Sequence, residues 1–298
     1  MLQKIIILFS IVFSGIGLIS AQEPTRKPPP NSTPFDHYIY IATSDDGLKW
    51  ELDETLVRAH TSVPDIIAWQ DTLWIYAVDG TNIPTQQMDK LVVLRLDVAT
   101  GIWEEFDIVI EDFAGRPVDP DAVVLSDDEL RLYFFDFSVN SPPPPPNSPP
   151  PTGYIYSATT TDGIHFVLDE GARLEHSPPV GDPDIVQLDD LWWLYTPRGA
   201  DLLVYQSENG FDFTEADIIN RVGMSSTVLR EDGTLRQYYC ATGGTHSHVS
   251  TDGLQWSEEE GLRWEGACGA AVEQLDDGTW VMVLVYIGEL ETTPTLDE

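Results

Sequence analysis

Basic residues are scarce in this sequence. It has 15 lysines and arginines against 50 aspartates and glutamates, which gives a formal net charge of −35 at pH 7. The electrostatic field of this negative charge repels phosphate backbones and anionic lipid, so nucleic acid and membrane surfaces are poor partners. Cysteine is also rare, with 2 residues, and none directly follows the N-terminal apolar run, which argues against a lipoprotein anchor.

The N-terminus has the pattern of a targeting signal. Lys4 precedes an apolar run from Ile5 to Ile19, and Ser20-Ala21 then offers a small-residue cleavage site, so residues 1–21 are predicted to be a signal peptide. An uncleaved anchor is the alternative. Residues 22–37 are predicted to be a Pro-rich spacer, and residues 289–298 an acidic tail. A secreted protein, extracellular or periplasmic, is expected, in which Cys240 and Cys268 either pair or stay as buried thiols.

One short motif recurs four times along the chain. It has the form Ser/Thr-x-Asp/Asn-Gly-x-x-aromatic, and the copies, called the turn boxes below, are Ser44–Trp50, Thr160–Phe166, Ser207–Phe213 and Ser250–Trp256. A degenerate fifth copy lies at Asp97–Trp103. Asp or Asn can cap a loop and Gly can supply a positive φ, so each copy predicts a tight hairpin turn.

A second pattern runs in step with the boxes. Each unit has an apolar strand that begins near a Pro-Asp pair, at Asp65, Asp121 and Asp184, or near Ser226 and Ala270 in the last two units. An aromatic-rich second strand follows, predicted at Leu73–Val78, Leu130–Phe135, Leu191–Thr196, Leu235–Ala241 and Trp280–Tyr286. Without an amphipathic helix of any length, this repetition predicts an all-β fold.

The predicted fold is a five-bladed β-propeller over residues 38–288, with four-stranded antiparallel blades. The chain begins in the middle of a blade, because Tyr38–Thr43 and the first box form a third strand and its turn. The last unit ends after its second strand. The N- and C-terminal strands therefore share one blade, which closes the ring and hides two free sheet edges.

These residues carry a resemblance to known families. The turn boxes resemble the Asp-box of sialidase-type propellers, which lies away from the active site. The five units and the Pro-Asp entry strands resemble the five-bladed glycoside hydrolases of the arabinanase, xylosidase and invertase groups. That likeness implies a base, a pKa modulator and a Glu acid on different inner strands. The strand after Asp184 offers Ser225-Ser226 instead of a Glu, so all three acids would have to be Asp.

The aspartates at the strand starts are the candidate catalytic residues. Asp65, Asp121 and Asp184 occupy one position in three consecutive blades, and Asp119 and Asp182 lie two residues earlier, on the same side by the period of a strand. Carboxyls that converge on a channel mouth suit glycosidic cleavage, where one donates a proton and another activates water or attacks. Two alternatives stay open, namely capping of the turns and coordination of Ca²⁺.

Other polar residues near the predicted rim are candidates for substrate binding. They are Asp119, Asp182, Arg116, Arg198, Arg221, His246 and Ser226. The arginines could hold a carboxylate or sugar hydroxyls, or they could pair with neighbouring aspartates. His246 and His248, spaced two apart, could also bind a metal.

These residues leave two functions from different classes open. The first is a secreted glycosidase that cleaves glycans through the channel-mouth aspartates, with no required cofactor. The second is a non-catalytic propeller that binds a carbohydrate or a protein across the same face. A module stabilised by Ca²⁺ is a third alternative. In each case a monomer is expected.

Overall fold

The computed structural model describes residues 32–83, 90–140, 148–220, 223–267 and 271–290. The predicted signal peptide, most of the spacer and most of the acidic tail lie outside these residues and stay predictions. Within the described ranges, no helix has the length and apolar character that crossing a membrane requires.

The strands form five sheets arranged as blades. After a 3₁₀ turn at Pro34–Asp36, the chain forms β1 (His37–Ser44) and β2 (Glu51–Ala59). Blade 1 consists of β3 (Thr61–Trp69), β4 (Thr72–Asp79), β5 (Leu91–Asp97) and β6 (Ile102–Asp107). Blade 2 consists of β7 (Val109–Glu111), β8 (Pro117–Ser126), β9 (Glu129–Asp136), β10 (Gly153–Thr160), β11 (His165–Leu168) and β12 (Leu174–His176), with a 3₁₀ turn at Phe137–Asn140.

The remaining strands complete the ring. Blade 3 consists of β13 (Asp184–Leu188), β14 (Leu191–Arg198), β15 (Asp201–Ser207) and β16 (Thr214–Ile219). Blade 4 consists of β17 (Ser225–Leu229), β18 (Leu235–Ala241), β19 (Gly244–Ser250), β20 (Trp256–Glu258) and β21 (Trp264–Glu265). The closing blade takes β22 (Ala271–Gln274) and β23 (Trp280–Ile287) from the C-terminal part of the chain and β1 and β2 from the N-terminal part.

The predicted five-bladed propeller and its mode of closure are confirmed. The closing blade has the strand order β2-β1-β23-β22, and β1 pairs with β23 along its whole length, from His37 opposite Ile287 to Ser44 opposite Trp280. The predicted second strands agree with β4, β9, β14, β18 and β23 to within two residues at each end. The chain between β9 and β10 contains the Pro-rich residues 141–151, of which residues 141–147 lie outside the described part.

The outer strands of blades 2 and 4 are divided, which the repeat pattern did not predict. Both β11 and β12 pair with β10, and both β20 and β21 pair with β19. Between the two pieces the chain turns an arginine inward, Arg173 in blade 2 and Arg263 in blade 4, each buried. Their guanidinium groups donate to the carbonyls of Gly171 and Gly261, so the break in the strand satisfies the buried charge locally.

Each turn box is held by the same set of local hydrogen bonds. In the first box, Ser44 Oγ accepts from the backbone N–H of Gly47 at 2.9 Å, and Asp46 Oδ1 accepts from Leu48 and Lys49 at 2.8 and 2.9 Å. The glycine has φ 69°, a region that a side chain disfavours. The same bonds recur in the other three boxes.

The boxes also join neighbouring blades. A tyrosine hydroxyl on the second strand of one blade donates to the carbonyl of the box glycine in the next blade. The four pairs, called the box hydrogen bonds below, are Tyr76 to Gly163 (3.2 Å), Tyr133 to Gly210 (2.9 Å), Tyr195 to Gly253 (2.9 Å) and Tyr238 to Gly47 (2.8 Å). The boxes therefore order the ring as well as the turns.

The junction from the closing blade to blade 1 departs from this rule. The tyrosines lie opposite Asp65, Asp121, Asp184 and Ser226 in their own blades, and in the closing blade that position is Val283, opposite Ala271. The degenerate box of blade 1 has lost its contact as well, since a Cβ placed on Gly101 would meet nothing within 4 Å. This junction is called the seam below.

Candidate functional site

A backbone irregularity directs the aspartates toward the channel mouth. Val63, Asp119 and Asp182 each stand immediately before the proline of a Pro-Asp pair, and they have φ of 47°, 52° and 48°. These left-handed conformations are costly for residues other than glycine, most of all for β-branched valine. In blades 1 and 2 the strand register shifts at this point. A β-bulge of this kind reorients the following side chain.

The bends surround one open cavity at the mouth of the channel. Residues from all five blades line it. Its lining includes four carboxyl side chains, the hydroxyls of Ser225 and Ser226, and a set of apolar groups: Val63, Pro64, Pro120, Pro183, Met224 and Ala271. Of the predicted site residues, the structure thus brings Asp65, Asp119, Asp121, Asp182 and Ser226 together.

The predicted reason for the position of Asp119 and Asp182 was wrong. They reach the cavity through the left-handed bend, not through strand alternation, because the bulge interrupts the period of two. Asp119 Oδ2 accepts from the backbone N–H of Asp182 at 3.3 Å, and a Cβ on Gly181 would fall 2.8 Å from the same oxygen. The carboxyl of Asp119 therefore lies directly against the backbone of blade 3.

The side chains at the strand starts bond across the blades. Each accepts the backbone N–H of the residue that follows the equivalent position in the next blade. These four pairs, called the mouth hydrogen bonds below, are Asp65 to Ala122 (2.7 Å), Asp121 to Ile185 (3.2 Å), Asp184 to Thr227 (2.9 Å) and Ser226 to Val272 (3.1 Å). The capping alternative for these aspartates is thus realised between blades.

The mouth hydrogen bonds also correct the alignment of the last blade. The predicted equivalent of Ser226 was Ala270, but the backbone N–H of Val272 donates the bond to Ser226, so the equivalent position is Ala271. Its methyl group accepts no hydrogen bond.

Asp184 is set apart from the other aspartates. Its side chain is 1% exposed and does not line the cavity. Besides the N–H of Thr227, it accepts from the Thr227 hydroxyl at 2.7 Å and from the Gln237 amide at 3.0 Å. Gln237 in turn accepts from the ring of His248 at 3.0 Å, so donors from blade 4 surround this carboxyl.

Burial raises the pKa values of the carboxyls around the channel. Loss of water contact raises the pKa of Asp65 to about 7 and that of Asp119 to about 6. Burial, with the neighbouring negative charges, raises the pKa of Asp121 and Asp182 well above the ordinary range. The pKa of Asp184 is also raised by burial, against the lowering by its hydrogen bonds.

One ionisable residue of this channel was not predicted from the sequence. Glu273 lies two residues beyond Ala271, and burial raises its pKa to about 8, with a contribution from the charge of Asp65. A glutamate was expected only at the start of an inner strand, whereas Glu273 lies one layer deeper. Its signal in the sequence was a charged residue at a position where blades 1 to 4 have Ile67, Val123, Val186 and Val228.

The predicted basic residues that fall in the described part of the chain do not line the cavity. Arg116 packs its guanidinium over the ring of Phe137, 5.6 Å from the ring centre, and Arg198 pairs with Asp201 at 3.4 Å, which supports the ion-pair alternative for the latter. Arg221 lies outside the described residues. His246 lies beside the ring of Tyr239, with its Nε2 3.1 Å from the carbonyl oxygen of Thr242.

In the part of the chain that the structure describes, no group of three or more His, Cys, Asp or Glu side chains is placed to hold a metal ion. His248 is buried and stacks on Trp256, with 4.2 Å between ring centres. Cys240 is disulfide-bonded, which excludes the free-thiol alternative for this residue. Cys268, the other cysteine of the sequence, lies outside the described residues.

Comparison with known proteins places this fold among five-bladed propellers of glycoside hydrolases. The chain is similar to a thermostable family-43 glycoside hydrolase, with a TM-score of 0.56 and 11% identity, over 79% of this chain and 91% of that one. It is similar to the α-L-arabinanase of Penicillium chrysogenum, solved with arabinobiose, with a TM-score of 0.55 and 15% identity, over 84% and 85% of the two chains. The fold is that of the five-bladed glycoside hydrolases.

A third comparison agrees with this result. The GH43_1 enzyme from Xanthomonas citri, solved with xylotriose, matches with a TM-score of 0.53 and 12% identity, over 76% of this chain and 86% of that one. No protein-family model matches the sequence, and no curated protein does. Identities this low show the glycoside hydrolase fold, while the activity has to be argued from the site.

Proposed function

We propose that this protein is a glycoside hydrolase that cleaves its substrate in the cavity at the channel mouth. The observation that supports this proposal is the set of carboxyl groups lining one cavity, with pKa values raised to different extents. Glycosidic cleavage needs one carboxyl that still holds its proton and one that has lost it.

Asp121 and Asp65 are assigned to the two roles. The pKa of Asp121 is raised well above its usual range by burial and by the charges of Asp65 and Asp184, so at neutral pH Asp121 keeps a proton for the leaving oxygen. The pKa of Asp65 is raised only to about 7, so Asp65 ionises first and acts as the base or nucleophile. Asp184, held by donors from blade 4, then acts through its charge on both neighbours.

The neighbours in fold suggest where to look for a substrate. The arabinanase was solved with arabinobiose and the Xanthomonas enzyme with xylotriose. Glycans built from these pentoses are therefore the first substrates to test, ahead of acidic sugars, because Arg116 and Arg198 do not line the cavity. The reaction is proposed to need no cofactor, and assays with and without Ca²⁺ test that point.

The deciding experiment is turnover of the purified protein on aryl glycosides and polysaccharides. Asp65→Asn and Asp121→Asn are expected to lower kcat/KM at least about 100-fold, with folding checked by circular dichroism. Asp190→Asn is the matched control, since Asp190 is an exposed aspartate in the turn at the far end of blade 3. Turnover that survives both cavity substitutions would refute the assignment.

A non-catalytic glycan-binding propeller is the second candidate. It is favoured by two observations: Asp184 is buried and bonded on both carboxyl oxygens, and the next inner strand has Ser226 where the resemblance implies a Glu acid. Saturable binding of an oligosaccharide with no turnover, lost in Asp65→Asn and kept in Asp190→Asn, would establish this candidate in place of the hydrolase.

We also propose that the protein acts outside the cytoplasm as a monomer, after removal of residues 1–21. The disulfide at Cys240 supports an oxidising location. N-terminal sequencing of the mature protein is expected to begin at Gln22, and light scattering should give a monomer mass. A mature chain that still begins at Met1 would refute the cleavage.

A further inference from the structure

The seam brings two carboxyls together that belong to opposite ends of the chain. Inner strand β22 of the closing blade packs beside inner strand β3 of blade 1. At the level of the mouth hydrogen bonds, β22 presents only the methyl group of Ala271. One layer deeper it presents Glu273, which lies opposite Val281 on β23 just as Ala271 lies opposite Val283.

Glu273 differs from everything else at its level of the channel. The same register position holds Ile67, Val123, Val186 and Val228 in the other four blades. One carboxyl therefore stands among aliphatic side chains, where its charged form is poorly solvated.

The ionisable groups that act on Glu273 come from two directions. They are Asp65 on β3 and Asp276 in the turn after β22, and the effect of Asp65 is the larger. Of the other strands packed against β22, β17 has no ionisable side chain, and β23 has only Tyr286, whose hydroxyl accepts from Trp264 at 2.8 Å. Asp65 is thus the main partner of Glu273.

We propose that Glu273 is a positioning residue of the cavity, a carboxylic acid beneath its floor that acts on the substrate through Asp65. While Glu273 holds its proton, Asp65 can carry the single negative charge of the pair. When Glu273 also loses its proton, the pair carries two negative charges across the seam. Their repulsion makes the second carboxyl ionise at a higher pH than the first. Its consequence for turnover rests on the proposed function, but the coupling of the two carboxyls does not.

The coupling is tested by carboxyl titration, followed by NMR on protein labelled with ¹³C in Glu and Asp side chains. One Glu signal is expected to titrate near pH 8, and Asp65→Asn is expected to lower that midpoint by about one pH unit. Asp276→Asn is the matched control and should shift the midpoint less. A midpoint near the ordinary Glu value, or one that Asp65→Asn leaves in place, would overturn the proposal.

A reciprocal measurement covers the case in which Asp65→Asn does not fold. The Asp65 signal of the native protein should then show two inflections, and Glu273→Gln should remove the one at higher pH. A single inflection in the native protein would contradict the coupling. Neither experiment requires a substrate, so the coupling can be decided even if no turnover is found and the proposed function fails.

With a substrate in hand, the pH profile separates positioning from simple packing. Wild-type kcat/KM should fall as Glu273 ionises, and Glu273→Gln should move that alkaline decline to the higher pH at which Asp121 loses its proton. Glu273→Val introduces the side chain that blades 2 to 4 have at this position. An unchanged alkaline decline in both variants would show that Glu273 only fills space.

Discussion

Four of the five blade junctions have a hydrogen bond at each face of the ring, whereas the seam has neither among the residues that the structure describes. The mouth hydrogen bonds and the box hydrogen bonds stop at the same place, because Ala271 and Val283 are cross-strand neighbours. The loss of both bonds thus traces to one pair of apolar residues, in the blade assembled from both ends of the chain.

The seam is held by other contacts. Apolar residues of the closing blade and blade 1 form one buried cluster that includes Ile39, Ile66, Val281 and Val283. The N-terminal segment adds a clasp on blade 1: His37 Nδ1 lies 2.7 Å from Ser62 Oγ, and the ring of Phe35 stacks on His60 at 4.0 Å. The seam therefore closes through apolar packing together with polar contacts of the N-terminal segment, among them the ion pair between Arg58 and Asp79 at 3.2 Å.

The largest expected effect concerns pH, because the carboxyls of the channel, at and beside the seam, have raised pKa values. Their folded pKa values exceed the unfolded ones, so the native state holds extra protons between about pH 4.5 and 8. With pKa values of about 7, 6 and 8 for Asp65, Asp119 and Glu273, the free energy of unfolding should therefore fall on the order of 8 kcal/mol from pH 5 to pH 8. Urea unfolding at constant ionic strength measures this fall, and Glu273→Gln should reduce its slope.

The turn boxes set the acid limit of that prediction. Hydrogen bonds from the backbone lower the pKa values of Asp46 and Asp252, so their contribution to stability is lost as the pH drops below about 4. Maximum stability is expected near about pH 5. A protein that is more stable at pH 8 than at pH 5 would contradict the pKa assignments at the channel.

The second prediction compares two mouth hydrogen bonds. Asp184→Ala leaves the donors of Thr227 and Gln237 without their buried acceptor, and a loss of about 3 kcal/mol is expected. Ser226→Ala removes one neutral bond, to Val272, and should cost about 1 kcal/mol. Unfolding midpoints in urea measure both. Equal losses would show that the two junctions do not differ in strength as the structure indicates.

The third prediction compares a box glycine with the glycine of the seam. Gly163 and Gly101 have φ of 79° and 71°, so an alanine suffers similar backbone strain at either position. A Cβ on Gly163 would fall 2.6 Å from Trp74, whereas one on Gly101 meets nothing. Gly163→Ala should therefore destabilise by about 2 kcal/mol more than Gly101→Ala. If the two variants lose the same stability in thermal unfolding, the close packing of the box glycine against the neighbouring blade does not matter for stability.

The smallest expected effect is the loss of one box hydrogen bond. Tyr133→Phe keeps the buried ring but leaves the Gly210 carbonyl without its donor, and a loss of about 1 kcal/mol is expected. At the seam the equivalent residue is Val283, which has no hydroxyl, so this junction has no box hydrogen bond to lose. If Tyr133→Phe unfolds at the same urea concentration as the wild type, the box hydrogen bonds do not stabilise the ring.

The sequence by itself determined the turns, the number of blades and the way the ring closes. In the first turn box, Ser44 and Asp46 accept hydrogen bonds from backbone groups within a few residues, and a glycine allows the positive φ. The other boxes repeat this arrangement. Strand alternation and repetition are equally local signals. For this reason the predicted second strands agree with the structure to within two residues.

Only the tertiary structure decided the roles of the residues at the channel. Asp65, Asp121 and Asp184 look alike in sequence, yet Asp184 is withdrawn from the cavity by Gln237, which lies 53 residues away. The left-handed bends at Val63, Asp119 and Asp182 go against the local preference of residues other than glycine. Glu273 comes near Asp65 through the register of β22 on β23 and the packing of β22 beside β3. Such channel-facing positions depend on contacts between distant segments, which no local pattern encodes.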